Sequence, residues 1–398
     1  MNYFFNRERN ASCFIFYFLS FVSPKEFFFM YIKNLSLVNF KNFEEADLKF
    51  SANLNCFIGN NGAGKTNLMD AIYYLSFCKS FINSIDGLNI MHDEDFFVIH
   101  GRYHRLENEE NIYCGLKRGQ KKHFKRNKKE YKKLSEHIGL LPLIIVTPSD
   151  MNLILGGSDE RRRFLDSIIS QYDQVYLDNL IRYNRALLQR NKLLKQFAAD
   201  RFYSEESLEV WSDQMVHYGK LIHEKRVEYL QKLQPIFQHY YELISSGKER
   251  IEMVHESKLY NHDFAGLLKE SIPKDRMLQY TSVGIHKDDI LFNLGDYPIK
   301  KIGSQGQKKT YLVALKLAQF DFIKDLSGMT PILLLDDIFD KLDKYRVEQI
   351  VKLVADDHFG QIFITDTNRE HLDQMIEEIE ADFKIFQVND GTVNEVTK

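Results

Sequence analysis

The stretch "GNNGAGKTNLMDAIYYLSF", Gly59–Phe77, decides how this chain folds. Gly59, Gly62, Gly64, Lys65 and Thr66 fill the spacing G-x-x-x-x-G-K-[ST], with an apolar run before them and a helical pattern after. Glycines let the backbone bend until successive N–H groups, those of Asn60, Asn61 and Ala63 included, face one anion. The helix start adds its dipole. Lys65 is placed to reach the β- and γ-phosphates of a nucleotide, and the Thr66 hydroxyl to ligate Mg²⁺.

Working outward, the partner of this loop lies far downstream. "PILLLDDIFDKLD", Pro331–Asp343, reads as a fully apolar parallel strand ending in two aspartates. Its carboxylates fall at the C-terminal edge, where open α/β sheets bind ligands. Asp336 is expected to bind Mg²⁺, directly or through water, and Asp337 to orient or deprotonate an attacking water. With Lys65 these are the candidate catalytic residues. The interval between Lys65 and Asp336 is too long for a compact kinase, so an insertion is expected within the nucleotide fold. There Leu208, Trp211, Met215, Tyr218 and Ile222 recur at spacings of three and four, followed by Leu230, Leu233, Phe237, Tyr240 and Ile244. That is an amphipathic helix face. Such helices are too short for a long coiled-coil arm and predict a packed helical lobe.

Between insertion and aspartates stands "IGSQGQKKTYLVALKLA", Ile302–Ala318. Ser304 is no nucleophile, since no histidine base is in local reach and no Gly-x-Ser-x-Gly turn precedes it. One reading is a simple helix N-cap. The other is a phosphate reader: Ser304 supplies a hydroxyl donor, Gly306 admits close backbone approach, and the helix dipole favours an anion beside Gln307.

Composition narrows the setting. With 44% hydrophobic residues the chain is not disordered, and a formal net charge of -3 confines any nucleic-acid contact to a local patch. Cys13, Cys56, Cys78 and Cys114 lack metal-like spacing and read as reduced thiols of a cytoplasmic protein. "CFIFYFLSFV", Cys13–Val22, is too short to span a bilayer. It could pass for the apolar part of a secretory signal behind Arg7 and Arg9. Met30, directly before a clean strand pattern, is the expected start, with residues 1–29 an upstream extension. No membrane association is expected.

The order of phosphate loop, helical insert, Ser-Gln-Gly-Gln helix start and paired aspartates is similar to that of the ABC and SMC ATPases. In that class, two subunits face each other head to tail, and the serine–glycine signature of one caps the γ-phosphate held by the other. Within it the chain, from Met30 nearly to its end, resembles the RecF family of bacterial DNA replication and repair proteins. The resemblance rests on "VNFKNF", "GNNGAGKTNLMDAIYYLSFCKSF", "LSEHIGLLPLIIVTPSDMNLILGGSDERRRFLD", "GIHKDDI", "SQGQKKTYLVALKLA" and "LLLDDIFDKLD". It implies an α/β SMC/ABC-type ATPase head with an inserted helical lobe, a weak ATPase that dimerises on ATP, and DNA binding at single-strand gaps and duplex junctions. It also implies a role with RecR- and RecO-type partners in loading RecA, in recombinational repair, replication-fork recovery and the SOS response.

Some positions depart from the family. Ile285 and Lys287 stand in "GIHKDD" where a proline and an arginine are usual, and lysine lacks the bidentate fork. Lys308 and Lys309 stand where an arginine often appears. Asp337, as in RecF-like chains, replaces the glutamate of transporters, and its shorter reach predicts slow turnover. "IFITDTN" puts Thr365 and Asp366 where transporters carry a switch histidine.

"KRGQKKHFKRNKKEYKK", Lys117–Lys133, has ten Lys or Arg in seventeen residues. It reads as a hairpin turning at Asn127-Lys128 and projecting from the head, with Lys121, Lys122, Lys125, Arg126, Lys128 and Lys129 set for phosphate contact. A solvated charged loop is the plainer reading. Arg161–Arg163 serve either the nucleotide interface or the lobe–lobe contact. The expected organisation is an extension (1–29), the ATPase lobe with its basic hairpin (30–147), a helical lobe (148–280) and the rest of the ATPase lobe (281–398). A transporter's ATP-binding subunit and an SMC-related nuclease are the alternatives. The long insert and the missing glutamate and histidine oppose the first. The absence of a second acidic cluster opposes the other.

Overall fold

A computed structural model describes residues 28–245, 247, 249–339, 344–354, 357–367 and 382–396. Residues 1–27 of the expected extension, with Cys13, lie outside the described residues, as do Asp340–Asp343 of the aspartate motif.

The chain opens with a six-stranded antiparallel sheet, ordered β2-β1-β4-β5-β6-β7. Its strands are β1 (Met30–Phe40), β2 (Phe43–Lys49), β4 (Phe96–Arg105), β5 (Asn108–Lys117), β6 (His123–Arg126) and β7 (Lys129–Glu130). In β1 both Ile32 and Leu35 are buried, an odd spacing that strict alternation forbids. The register against β4 shifts between Ile32 and Asn34, and this bulge restores the apolar face.

The second sheet carries the loop. It comprises β3 (Leu54–Ile58), β8 (Leu143–Val146), β12 (Ile332–Asp336), β13 (Ile362–Asp366), β14 (Phe383–Asn389) and β15 (Thr392–Val396), in the order β15-β14-β3-β13-β12-β8. All are parallel except β15. Every residue of β3, β12 and β13 is buried, because both faces are covered. Phe57, Leu334, Phe363 and Phe386 face the first sheet and α1 (Lys65–Phe77). Cys56, Leu333, Leu335 and Ile364, on the opposite face, join the helices.

Those helices are α2 (Met151–Leu155), α3 (Ser158–Tyr172), α4 (Gln174–Asp200), α5 (Glu205–Ser245), α6 (Phe264–Glu270) and α7 (Ile272–Leu278), followed by α8 (Ile299–Ile302), α9 (Gln305–Ser327) and α10 (Lys344–Val354). The predicted face of α5 is the buried one, from Leu208 through Met215 and Phe237 to Ile244. At 41 residues, α5 spans about 60 Å. It packs against α4 and α9 instead of projecting. A small sheet, β11-β10-β9, joins β9 (Ile251–Glu256), β10 (Asp289–Leu294) and β11 (Tyr297–Pro298). A boundary at 280/281 cuts this sheet, and one apolar cluster runs unbroken from the parallel sheet into the helices. The helical segment therefore shares its core with the parallel sheet. Among the described residues no helix is long and apolar enough to cross a membrane.

The lobe also holds buried charge. Arg190 and Asp275 are both fully buried and pair at 2.7 Å. Asp275 further accepts from Ser271 Oγ, Ser282 N and Ser282 Oγ. Asp275→Ala strands the guanidinium, so a loss of about 3–5 kcal/mol is expected in chemical denaturation. Replacing both partners by apolar residues should recover much of that loss.

Candidate functional site

β3 delivers the chain into the loop and α1 receives it. Gly64 is the N-cap of α1 with φ 115°, and no side chain caps the helix there, so the first N–H groups of α1 are left for another acceptor. A Cβ at Gly64 would meet Asn42 Nδ2 at 2.5 Å and Phe43 Cζ at 2.9 Å. Asn42 braces the loop: its Nδ2 donates to Ala63 O at 3.0 Å, and its Oδ1 accepts from Asn67 Nδ2 at 2.7 Å. Nothing in the local pattern of "VNFKNF" marks Asn42 for this role. Lys65 is buried and donates to Gly59 O at 2.8 Å and Asn60 O at 3.1 Å, which holds its ammonium over the mouth of the loop.

Thr66 Oγ1 lies 3.0 Å from Asp336 Oδ2 and 3.1 Å from Oδ1, across 270 residues of chain. Thr365 Oγ1 donates to Asp336 Oδ1 at 2.7 Å and accepts from Asp337 N at 2.9 Å. Burial raises the Asp336 carboxyl above its ordinary range, against the Thr365 and Thr66 hydroxyls and the Lys65 charge, which lower it. Hard oxygens from a hydroxyl and a carboxylate suit Mg²⁺. Asp337 is half-buried and takes a left-handed backbone at φ 46°, a strained conformation for a side-chain-bearing residue. Thr365, like Asp366 beside it, has no task legible in the sequence. Its signal was a polar residue ending an apolar strand.

Ser304, Gly306 and Gln307 stand apart from the loop. Ser304 Oγ accepts from Gln307 N at 3.1 Å, and Gln307 Oε1 accepts from Ser304 N at 2.8 Å, a reciprocal capping box. Gln307 Nε2 donates to Glu249 Oε1 at 2.7 Å. A Cβ at Gly306 would come within 2.3 Å of Arg346 Nη1, so this glycine admits the guanidinium. Among the described residues none of the three bonds to residues 59–66. Ser304 is exposed, and its hydroxyl proton remains available because the cap uses only its lone pair. Gln305, Lys308, Lys309 and Asp337 line one cleft of about 340 Å³ with Thr147 and Pro148.

Residues 31–394 match the family model "RecF/RecN/SMC N terminal domain". The chain is 57% identical over 368 residues to the DNA replication and repair protein RecF of Phocaeicola vulgatus, covering 92% of this chain and 98% of the relative. It is 46% identical to the RecF of Porphyromonas gingivalis over 367 residues, covering 92% of this chain and 100% of that one. The chain belongs to the RecF family. A solved structure of the recombination mediator protein RecF-ATP superposes with a TM-score of 0.84 at 30% identity, covering 94% of this chain and 100% of that one. The Smc head domain of Pyrococcus furiosus shares the fold, with a TM-score of 0.55 at 19% identity over 92% of this chain and 96% of its own. The RecF family of DNA replication and repair proteins is thereby chosen over the transporter and nuclease readings, and the fold is the expected SMC/ABC-type head.

In this RecF-family chain the basic segment is a hairpin, with Asn127 and Lys128 at φ 48° and 69°. It forms the edge of the first sheet and does not project as an arm, since β6 pairs with β5. Lys121, Lys128 and Lys129 are exposed. Lys125 lies over the Tyr113 ring at 5.5 Å, and Arg126 is paired with Glu110. Lys122 departs from expectation. Its ammonium donates to Cys78 O at 2.6 Å, Asp86 Oδ2 at 2.7 Å and the Tyr74 hydroxyl at 3.0 Å, and so braces the sheet against the end of α1.

Of the arginine triplet, Arg163 pairs with Glu160 of its own helix, and the other two reach across. Arg161 forks onto Asp289 at 2.8 and 2.9 Å, and Arg162 bonds Asp288 O, so α3 is fastened to the start of β10. That is a lobe contact, and the acidic end of "GIHKDD" is its socket. Lys287 reaches over the Tyr280 ring at 5.1 Å. Gly64→Ala would force a left-handed alanine against Asn42 and Phe43, and a loss of about 1–3 kcal/mol is expected in thermal or denaturant unfolding.

Proposed function

We propose that this chain is an ATP-driven DNA-binding switch that acts at single-strand gaps and duplex junctions. The observation that carries it is the meeting of Thr66 and Asp336 at 3.0 Å at the mouth of a phosphate loop. The bound ligand in the RecF-ATP relative supports the choice of nucleotide. Backbone N–H groups from Gly59 to Thr66 cradle the phosphates, and Lys65 exchanges its loop carbonyls for phosphate oxygens. Mg²⁺ held by Thr66 and Asp336 would neutralise charge on the β- and γ-phosphates. Thr365 keeps the Asp336 carboxylate aimed at that point. Asp337 orients the attacking water, and its short side chain makes turnover slow.

The γ-phosphate is completed by a second copy. Ser304 and Gly306 open α9 away from their own loop, with an outward hydroxyl and a helix dipole suited to an anion. ATP thus closes a homodimer, and hydrolysis removes the contact that holds it. Lys121, Lys128 and Lys129 contact the phosphates of DNA, while RecR- and RecO-type proteins are the partners in loading RecA.

Light scattering tests the switch. Mass should double with Mg-ATP and not with Mg-ADP. Lys65→Met should abolish ATP binding, and Ser304→Arg should keep it while abolishing the dimer. A Ser304→Arg chain that still doubles its mass would refute the capping role. For DNA, alanine at Lys121, Lys128 and Lys129 should weaken binding and reduce the log–log salt slope by about one per lysine. Lys122→Ala should leave the slope alone and lower the denaturation midpoint instead.

A further inference from the structure

Far along the chain from the loop, three polar atoms converge without hydrogen-bond partners. His223 Nδ1 comes from α5, His255 Nε2 from β9, and Asp288 Oδ2 from the turn leading into β10. The ligand atoms of these three residues all lie within 4.8 Å of one another. The side chains of His255 and Asp288 are each only 4% exposed. His255 Nε2 and Asp288 Oδ2 stand 3.5 Å apart, too far for a good hydrogen bond. That spacing matches the edge of a tetrahedron built on metal–ligand bonds of about 2.1 Å, which is roughly 3.4 Å. Buried polar atoms left unpaired are costly, and one cation would take all three.

We propose that His223, His255 and Asp288 form a zinc site. Two imidazoles and a carboxylate are a nitrogen–oxygen set that suits Zn²⁺. Tyr260 Oη sits 3.0 Å from His255 Nδ1, an outer partner that fixes the ring with Nε2 turned inward. Arg226 Nη1, 3.6 Å from Asp288 Oδ2, is the opposing charge nearby. Its guanidinium is already held by Asp166 at 2.8 and 3.0 Å and by Ile285 O at 2.9 Å, so Asp288 keeps an oxygen for the metal. The fourth position opens to a cleft walled by Ser257, Lys258, Asn261 and His262, where water completes the shell. Occupied, the site ties the long helix to the small sheet, one residue from the Asp289 socket of Arg161. It acts as a lock on the lobe junction, independent of the nucleotide.

The test uses the full chain, stripped with a chelator and titrated with ZnCl₂ against a chromophoric chelator, with metal content measured after desalting. One Zn²⁺ per chain and a rise in melting temperature are expected. His223→Gln, on a half-buried helix position, and His255→Gln should each abolish stoichiometric binding. Tyr260→Phe should weaken it about 10–100-fold. Retained ATP binding by each variant certifies its fold. If the variants bind one Zn²⁺ as tightly as the parent, the metal sits elsewhere and the proposal fails. If the parent binds none after desalting, the three groups share only a bridging water, and the proposal fails equally.

Discussion

Asp336 ends an apolar strand with 3% of its surface exposed, and a carboxylate so far from water has to be met by donors. Thr66 and Thr365 provide them, one from the helix after β3 and the other from the end of β13. Three strands adjacent in space but remote in sequence must therefore end at the same level. The parallel register of β12 on β13, and of β13 on β3, keeps that level. The loop, the helix it opens and the strained Asp337 are arranged around this one desolvated group.

The same sheet explains why the inserted helices cannot stand alone. Its strands alternate, so even a five-residue strand has two faces to cover. The antiparallel sheet and α1 cover one. On the other, α9 packs against β8, and α3 and α5 pack on α9 in turn, so that one core continues into α4 and the small sheet. The nucleotide region and the helical region are therefore joined by shared packing. Ion pairs among the helices, Arg190 with Asp275 and Arg226 with Asp166, add geometric demands within the helical segment itself.

Features confined to a few consecutive residues were legible beforehand. The loop spacing, the helix start at Ser304, the turn at Asn127-Lys128 and the apolar strand before Asp336 all depend on local backbone chemistry. The predicted face of α5 was readable too, because periodicity survives whatever the helix packs on. What escaped was pairing at a distance. Lys122 looked like its neighbours in a basic run, yet Tyr74, Cys78 and Asp86 remove it from solvent. Asn42 and Thr365 looked like ordinary polar residues, and the convergence of His223, His255 and Asp288 has no spacing signature at all.

By itself, then, the sequence determined the phosphate loop with its strand and helix, the partner aspartates and the amphipathic insert, and with them the family. These are written in short-range spacing, which follows from the fixed periods of helix and strand. Only the tertiary structure decided that the helical segment shares its core with the sheet, which lysines face water, and which carboxylates answer Arg161 and Arg226. Such choices depend on side chains brought together from remote segments. Burial then sets the cost of each unpaired charge.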